Sequence, residues 1–514
     1  YQPKPMLKRL PNRRTLVGSW QQPIAPPKSM LGPTRFRFLN REYTLDEAHD
    51  WNHPEIEKLW LYNLHYFDDL NAKEASERSE WHWDLIDRWI FENPPFDGNG
   101  WEPYPLSLRI ANWIKWAITQ HNLPDGMPES LALQAECLSR RIEYHLMGNH
   151  LFANAKALVF AGCFFEGPKA KTWLHKGLEI LNDEIPEQVK SDGGHFEQSP
   201  MYHSIILEDL LDLVNLFYAY GKEPPALWLD SVAKMQRWLR LTCHPDGEIA
   251  LFNDAAFGIA ATMDELDGYA GRLGLGTPDF PGGGLTHLAN SGIVRIETEQ
   301  AVALLDVGDI GPDYIPGHAH ADTLSFELSL FGERVIVDSG TSTYEKNVER
   351  QKQRSTAAHN TVTINEQNSS EVWGGFRVGR RANPFGLKIN ETGEEFSVVC
   401  AHDGYRRLPG KPVHWRGWQL NEYAFIVRDK VEGRFHKALS RYYFHPDVRI
   451  SQEDSNHFNG QLSNGSVFKI GVEGGQGRIT DSTWHPEFNT SLPNKCLEVF
   501  FAGGDVEMKI IYNA

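Results

Sequence analysis

The 514-residue sequence carries 68 Asp and Glu against 51 Lys and Arg, a formal net charge of −17. Its composition, 41% hydrophobic and 23% charged, is that of a folded globular chain and excludes bulk disorder. No run of about 18 apolar residues exists to span a membrane. The acidic balance lacks the basic footprint of general nucleic-acid binding, so an anionic ligand requires a locally basic site.

The first 50 residues are basic and Pro-rich and are predicted to form an extended arm. Residues 51–284 read as helices. Apolar residues recur every three or four positions, with acids between them, in Ile206-Leu207-Glu208-Asp209-Leu210-Leu211-Asp212-Leu213-Val214. Leu106, Ile110, Trp113, Ile114 and Ala117 repeat the spacing, as do Leu151, Ala155, Leu158 and Val159. Breakers such as Asn122-Leu123-Pro124-Asp125-Gly126 separate these runs. Amphipathic helices on short loops predict a solenoid or a ring of helical hairpins. A Gly/Pro-rich joint around 274–284, including Pro281, ends that texture. Over 285–514, alternation at 292–297, 301–306, 324–330, 334–338, 360–365, 468–472 and 506–511 predicts short strands in stacked antiparallel sheets.

Five cysteines (Cys137, Cys163, Cys243, Cys400 and Cys496) stand far apart with no CxxC pair. That excludes a cysteine zinc ribbon and predicts buried free thiols. Sixteen Trp, seventeen Tyr and twenty-seven Phe serve mainly as core, with a surplus that suits stacking on sugar rings. The chain begins at Tyr1 with no charged-then-apolar leader. A periplasmic or secreted setting is the favoured expectation, with the cytoplasm kept open, and oligomeric state is unspecified.

Four clusters carry candidate chemistry. They are Gly148-Asn149-His150-Leu151, opening a helix; Gly193-Gly194-His195-Phe196-Glu197-Gln198-Ser199-Pro200-Met201-Tyr202-His203, a loop entering the next long helix; Gly317-His318-Ala319-His320-Ala321-Asp322; and Val337-Asp338-Ser339-Gly340 with His359-Asn360. Singly, each has a plain structural explanation. Asn149 is a cap beside a core histidine, and Ser199-Pro200 is an N-cap followed by Pro at N1. His318 and His320 share a face in a strand but not necessarily in a loop. No Walker loop, G-x-S-x-G elbow or HExxH is present. Together the clusters supply His, Tyr and amides rather than paired acids. That set suits removal of the weakly acidic proton α to a carboxylate: amide and imidazole donors stabilise the developing aci-carboxylate, and Tyr or His moves the protons. In a uronic-acid polymer this is β-elimination at C5 with loss of the C4 oxygen.

With these motifs in this order, the sequence resembles the heparinase II/III-like polysaccharide lyases from about residue 55 to past 440. The resemblance implies an N-terminal (α/α) toroid, an incomplete barrel of helical hairpins over 51–284, and a C-terminal antiparallel β-sandwich over 285–514. It implies Asn149 as the group neutralising the uronate carboxylate, His150 as its helper or the base, Tyr202 as general acid, and His318 as base or carboxylate partner. It also implies a structural Zn2+ held by His320, Asp338 and His359, an N/O donor set with one position open. Candidate substrate contacts are Glu197 and His203 in the Tyr loop, Arg109, a Trp101/Tyr104 stacking platform, and a basic patch of Arg350, Arg354, Arg377, Arg380 and Arg381. The implied partner is an acidic polysaccharide such as heparan sulfate, chondroitin or hyaluronan. The alternatives are a uronate C5-epimerase, a lyase on alginate or a bacterial exopolysaccharide, a non-catalytic polysaccharide-binding protein and, more remotely, a glycosidase.

Overall fold

A helix that is apolar on every side has to be surrounded by other elements. The segment Gly148–Phe164 is such a helix, with every residue except His150 buried. The computed structural model describes residues 10–280 and 282–512; residues 1–9 of the predicted arm, and Pro281 of the predicted joint, lie outside them. Among the described residues the helices are α1 Lys58–Tyr66, α2 Ser79–Glu92, α3 Pro103–Thr119, α4 Met127–Ser139, α5 Gly148–Phe164, α6 Pro168–Gln188, α7 Pro200–Ala219, α8 Ala226–Thr242, α9 Met263–Arg272 and the short α10 Val348–Gln353.

Two compact units divide the chain. The helical unit comprises 10–189, 205–233 and 265–277 of the described residues, and the sheet-rich unit comprises 190–204, 234–264, 278–280 and 282–512. In the helical unit α1, α3 and α5 touch in series, and so do α2, α4 and α6, while α3 pairs with α4 and α5 with α6. This is the double layering of an incomplete (α/α) toroid, with the odd-numbered helices inside. It explains why α5 is apolar all round. The Lys156 ammonium of α5 bonds Asp212 of α7 at 2.6 Å, a buried ion pair within this layer. The Pro-rich segment runs extended over the same unit. Arg14 N bonds Phe164 O at 2.7 Å, Gln21 N bonds Asn215 Oδ1 at 3.0 Å, and the segment ends in the hairpin Arg35–Phe38/Arg41–Thr44.

The sheet-rich unit contains three larger sheets with antiparallel strand pairing. The first, of five strands, orders Gly284–Leu288, Ile293–Glu297, Ala301–Asp306, Phe326–Leu330 and Glu333–Ile336. The second, of four strands, orders Gln476–Trp484, Leu492–Phe501, Ala438–Tyr443 and Val362–Ile364. The third has eight strands and runs from Pro384–Thr392 to Arg449–Gln452. Phe326–Leu330 is buried at every position, as a strand covered on both faces reads. By contrast Val413–Leu420 alternates, as a strand with one wet face does. Phe326, Val427, Tyr442, Leu497 and Ile510 join these sheets in one apolar core.

The predicted strand at 301–306 is observed with the same ends. The strand predicted to reach 338 stops at Ile336, because Val337 N turns aside to bond Tyr443 O at 2.9 Å. The units interleave along the chain rather than meeting at 284/285, because segments flanking the long helices are tied to the sheets. Asp192 Oδ2 accepts from Ser291 N at 2.7 Å, Trp238 Nε1 donates to Ser291 Oγ at 2.7 Å, and Arg295 donates to Cys243 O at 2.7 Å. All five cysteines are buried and unpaired.

Candidate active site

Three loops of the sheet-rich unit are stitched together by their own polar groups. Gln198 and Asn253 both take the left-handed conformation, with φ of +57° and +58°, which Asn tolerates better than most residues. Asn253 Nδ2 donates to Gln198 O at 3.0 Å, and its Oδ1 accepts from His320 N at 3.0 Å. Ser199 Oγ accepts from Tyr202 N at 3.3 Å, capping α7 as its sequence predicted, and donates to Asp254 O at 2.6 Å. The three loops thereby bring Tyr202, Asp254 and His318 together.

The Tyr202 and His318 rings lie 4.1 Å apart between centroids, tilted by 33°. Tyr202 Oη lies 3.2 Å from Tyr344 Oη. His318 Nδ1 is 2.9 Å from Asp254 Oδ2, and its Nε2 is 3.6 Å from Glu197 Oε2. Asp254 is fully buried and accepts from both guanidinium arms of Arg350 and from His320 Nε2 at 2.8 Å. Burial opposes its ionisation. Arg350 and the hydrogen bonds of His318 and His320 outweigh burial and hold the carboxyl well below the usual carboxylate range. An anionic Asp254 can only accept, so His318 Nδ1 carries the proton between them and Nε2 is the nitrogen turned toward Glu197. Burial pushes the Tyr344 phenol well above its ordinary value, and the Asp254 charge adds to this, so it stays a neutral neighbour of Tyr202. Tyr202 is buried, while the His318 side chain keeps 17% exposure. Sequence reading missed Asp254, Arg350 in its clamping role, and Tyr344. The one local signal was the polar pair Asn253-Asp254 inside the apolar run 249–257.

The helical unit carries the Asn149 cluster. Met147 and Gly148 both have φ of +54°, a strained entry that Gly148 accepts readily and Met147 does not. It delivers Asn149 to the first turn of α5. Asn149 Nδ2 donates to Tyr104 Oη at 3.5 Å, and Tyr104 stands 4.4 Å from the His150 ring. His150 Nδ1 lies 3.2 Å from Glu143 Oε2, which also accepts from Asn154 at 3.1 Å. Asn149, His150 and Tyr104 therefore form one cluster.

Several predicted substrate contacts are structural instead. Arg109 is fully buried, donating to Gln134, His65 O and Gly100 O with its guanidinium 3.8 Å from the Trp89 ring. Trp101 is core, 5.6 Å from Trp89. His203 is buried, accepting from His195 N, donating to Met235 O at 2.9 Å and stacking on Trp238. Burial pushes its pKa down to about 3. Arg354 is buried on Ala319 O. Arg380 and Arg381 are exposed or part-exposed but paired, with Glu371 at 2.6 Å and Asp313 at 3.1 Å. In each case a long side chain found carbonyls, carboxylates or rings of its own fold, an outcome that spacing cannot foresee. Among the five predicted patch arginines, only the exposed Arg377 has no bonded partner for its guanidinium among the described residues.

The predicted metal residues adjoin the same network. His320 Nε2 faces Asp254 and His359 Nδ1 faces Asp338 Oδ2 at 2.7 Å. The remaining nitrogens, His320 Nδ1 and His359 Nε2, are buried without a hydrogen-bond partner, as is Asp322 Oδ2, and the two rings lie 5.2 Å apart. Imidazoles that bond a carboxylate through one nitrogen and leave the other open are the usual preparation for a metal. Burial raises Asp322 and Asp338 from their ordinary values, which a cation would offset. Among the described residues no three His, Cys, Asp or Glu side chains are already gathered into a coordinating group. The donor types fit Zn2+; the set is not preassembled.

The sequence matches two family models in tandem, Heparinase II/III N-terminus over residues 35–270 and Heparinase II/III-like, C-terminal over 281–511. The protein belongs to the heparinase II/III-like family. It is 27% identical over 364 residues to a heparin-sulfate lyase of Bacteroides stercoris, covering 65% of this chain and 51% of that protein. It is 25% identical over 450 residues to a heparin-sulfate lyase of Bacteroides thetaiotaomicron, covering 77% and 61%. The chain thus spans about half to three fifths of the length of the curated relatives it matches. Its fold is similar to the crystal structure of heparinase III, with a TM-score of 0.74 at 19% identity, covering 91% of this chain and 80% of that one. A chondroitin AC lyase of Streptomyces coelicolor shares the fold more distantly, with a TM-score of 0.57 at 10% identity, covering 95% and 77%. Among the described residues no helix is long and apolar enough to cross a membrane.

Proposed function

We propose that the protein is a polysaccharide lyase that cleaves a uronic-acid-containing polysaccharide, a glycosaminoglycan of the heparan or chondroitin type, by β-elimination. The observation that carries this reading is the Tyr202–His318 pair, oriented by a buried, ionised Asp254. In the reaction His318 Nε2 takes the C5 proton of the uronate. The C5–H electrons become the C4=C5 double bond, the C4–O bond breaks, and the Tyr202 hydroxyl protonates the departing oxygen. Asp254 holds the Nδ1 proton in place and stabilises the imidazolium that forms, while Arg350 keeps Asp254 anionic. Asn149 is assigned the uronate carboxylate, whose charge must be neutralised for C5–H to become acidic enough, and His150 assists it. Glu197, near His318 Nε2, and the half-buried Tyr104 are assigned to substrate positioning. The exposed Arg377 offers local positive charge on a chain of net −17. The substrate class favours a periplasmic or extracellular setting.

Zn2+ is part of this reading as a structural ion. His320 and His359 would supply imidazole nitrogens, and Asp338 or its neighbour Asp322 a carboxylate. Bound, the ion supplies fixed positive charge among buried acids and leaves the proton transfers to Tyr202 and His318. Elemental analysis of purified protein is expected to give close to one equivalent; a metal-free protein with unchanged melting after chelation sinks this assignment.

The function is tested by near-ultraviolet absorbance during incubation with heparan sulfate, heparin, chondroitin and dermatan sulfates, hyaluronan and alginate. A rise marks the conjugated unsaturated uronate and names the substrate. A flat trace with solvent deuterium entering C5 replaces the lyase by an epimerase, and reducing ends without absorbance replace it by a hydrolase.

A further inference from the structure

The hairpin Val372–Trp373/Arg377–Val378 has strands of two residues, continued at its base by hydrogen bonds from Gly379 N to Glu371 O at 2.7 Å and from Glu371 N to Arg380 O at 2.9 Å. Side chains of α10 and the residue that caps it also hold the hairpin. Gln351 Nε2 donates to Val372 O at 2.8 Å, Arg350 Nε to Gly375 O at 3.1 Å, and Arg354 Nη2 to Arg377 O at 3.4 Å. Arg350 therefore braces the hairpin with one nitrogen and Asp254 with the other two. Phe376 in the turn packs beside His318 and its neighbour Tyr344, its ring 5.9 Å from the first and 5.4 Å from the second.

Trp373 stands directly opposite Arg377 in the register. It is 57% exposed, and Arg377 is exposed too. Among the described residues neither the indole nor the guanidinium has a hydrogen-bond, ion-pair or ring partner. A lone exposed aromatic residue is unremarkable on a protein surface. Here an open indole and an unpaired guanidinium are cross-strand neighbours on a hairpin braced against the reacting imidazole. Three residues of chain reach at most about 10 Å, so Trp373 lies close to Phe376 and through it to His318.

We propose that Trp373 and Arg377 form a saccharide subsite beside His318. The indole stacks on the apolar C–H face of a pyranose ring, and the planar fork of Arg377 pairs with an anionic group of the bound saccharide, a sulfate or a carboxylate. The proposal rests on the acidic-polysaccharide reading above and adds to it where a sugar near the broken bond is gripped.

The test uses Tyr202→Phe protein, so that ligand is not consumed. It is titrated calorimetrically with hexasaccharides of heparan sulfate and of chondroitin sulfate, each beside its unsulfated counterpart. Adding Trp373→Ala is expected to weaken binding of the sulfated and unsulfated forms alike by about tenfold, and adding Arg377→Ala by a similar factor. A larger Arg377 effect on the sulfated form identifies sulfate as the partner; an equal effect identifies the uronate carboxylate. If Tyr202→Phe binds and both added substitutions leave affinity within about twofold, the subsite is wrong and the substrate reading stands. If Tyr202→Phe binds none of the hexasaccharides, the substrate reading falls and the subsite with it. Both side chains are exposed, so an unchanged circular dichroism spectrum is expected to show that the variants fold.

Discussion

Two Arg–Asp–His networks of almost the same chemistry lie in the sheet-rich unit. In one, Arg350, His318 and His320 converge on Asp254. In the other, Arg416, His414 and Ser440 converge on Asp429, and His402 extends the chain through His414. In both, burial resists ionisation of the aspartate, and the guanidinium and imidazole contacts outweigh it and hold the carboxyl below the usual range. The difference lies at their ends. His402, His414, Arg416 and Asp429 are all 0% exposed. That network closes on backbone, with Gly404 N donating to His402 at 3.2 Å and Arg416 donating to Leu324 O at 2.9 Å. The Asp254 network instead stops at an imidazole that reaches the surface, with a tyrosine ring against it. A closed network secures sheets, whereas an open one leaves an imidazole accessible, as the proposed proton transfer requires.

The comparison breaks first on Tyr202→Phe. Loss of the phenolic proton at the open end is expected to lower kcat by about 10⁴-fold, the top of the range for general acid–base catalysis, with the melting temperature nearly unchanged. Normal turnover in that variant would remove Tyr202 from the reaction. Asp254→Asn against Asp429→Asn sharpens the contrast. Each leaves a buried guanidinium without its counter-charge and is expected to cost about 3–5 kcal/mol of stability in urea titrations. Only Asp254→Asn is expected to change the chemistry, lowering kcat per folded molecule by about 10²-fold through loss of the His318 orientation. Equal kcat values for the two variants would show that the open and closed networks do not differ in role.

How much of this was legible before the structure follows from the range over which each feature is built. The three-to-four spacing around Leu106, Leu151 and Leu210 finds α3, α5 and α7 because helical spacing is local. The alternation at 301–306 gives its strand for the same reason. The clusters around Asn149, Tyr202 and His318 were visible because each is a run of consecutive residues. Asp254 was not, since its partners His318 and Arg350 lie 64 and 96 positions away and nothing local marks it beyond a polar pair. Whether Arg109, Trp101 or Arg354 faces a ligand or the interior is likewise decided by burial, and burial is a property of the assembled layers. The interleaving of the two units has the same origin: loops such as that holding Asp192 belong to the sheets they bond, not to the helices they flank.

Acid pH separates stability from chemistry a second way. The folded pKa of Asp429 lies below the ordinary value of about 3.9, so its stabilisation is complete above that pH and is lost as pH falls below it. Wild-type protein is expected to lose stability between about pH 4 and pH 2, and Asp429→Asn to show a flatter slope there. Parallel slopes in the two proteins would mean that Asp429 is not held ionised by Arg416 and His414.

The smallest effect is expected at Arg380, which differs from Arg377 in one respect that matters. Both sit at the hairpin in the predicted basic patch, but the Arg380 guanidinium is tied to Glu371 at 2.6 Å with side chains 71% and 37% exposed. An exposed pair of this kind is screened by salt and contributes little to stability, and a guanidinium already bonded to a carboxylate offers a polyanion less than a free one. Arg380→Ala is therefore expected to leave kcat/KM within about twofold at both low and physiological salt, and the melting temperature within error. A loss at Arg380 comparable to that at Arg377, growing as salt is lowered, would mean that the Glu371 pair opens to substrate and that the hairpin presents two cations rather than one.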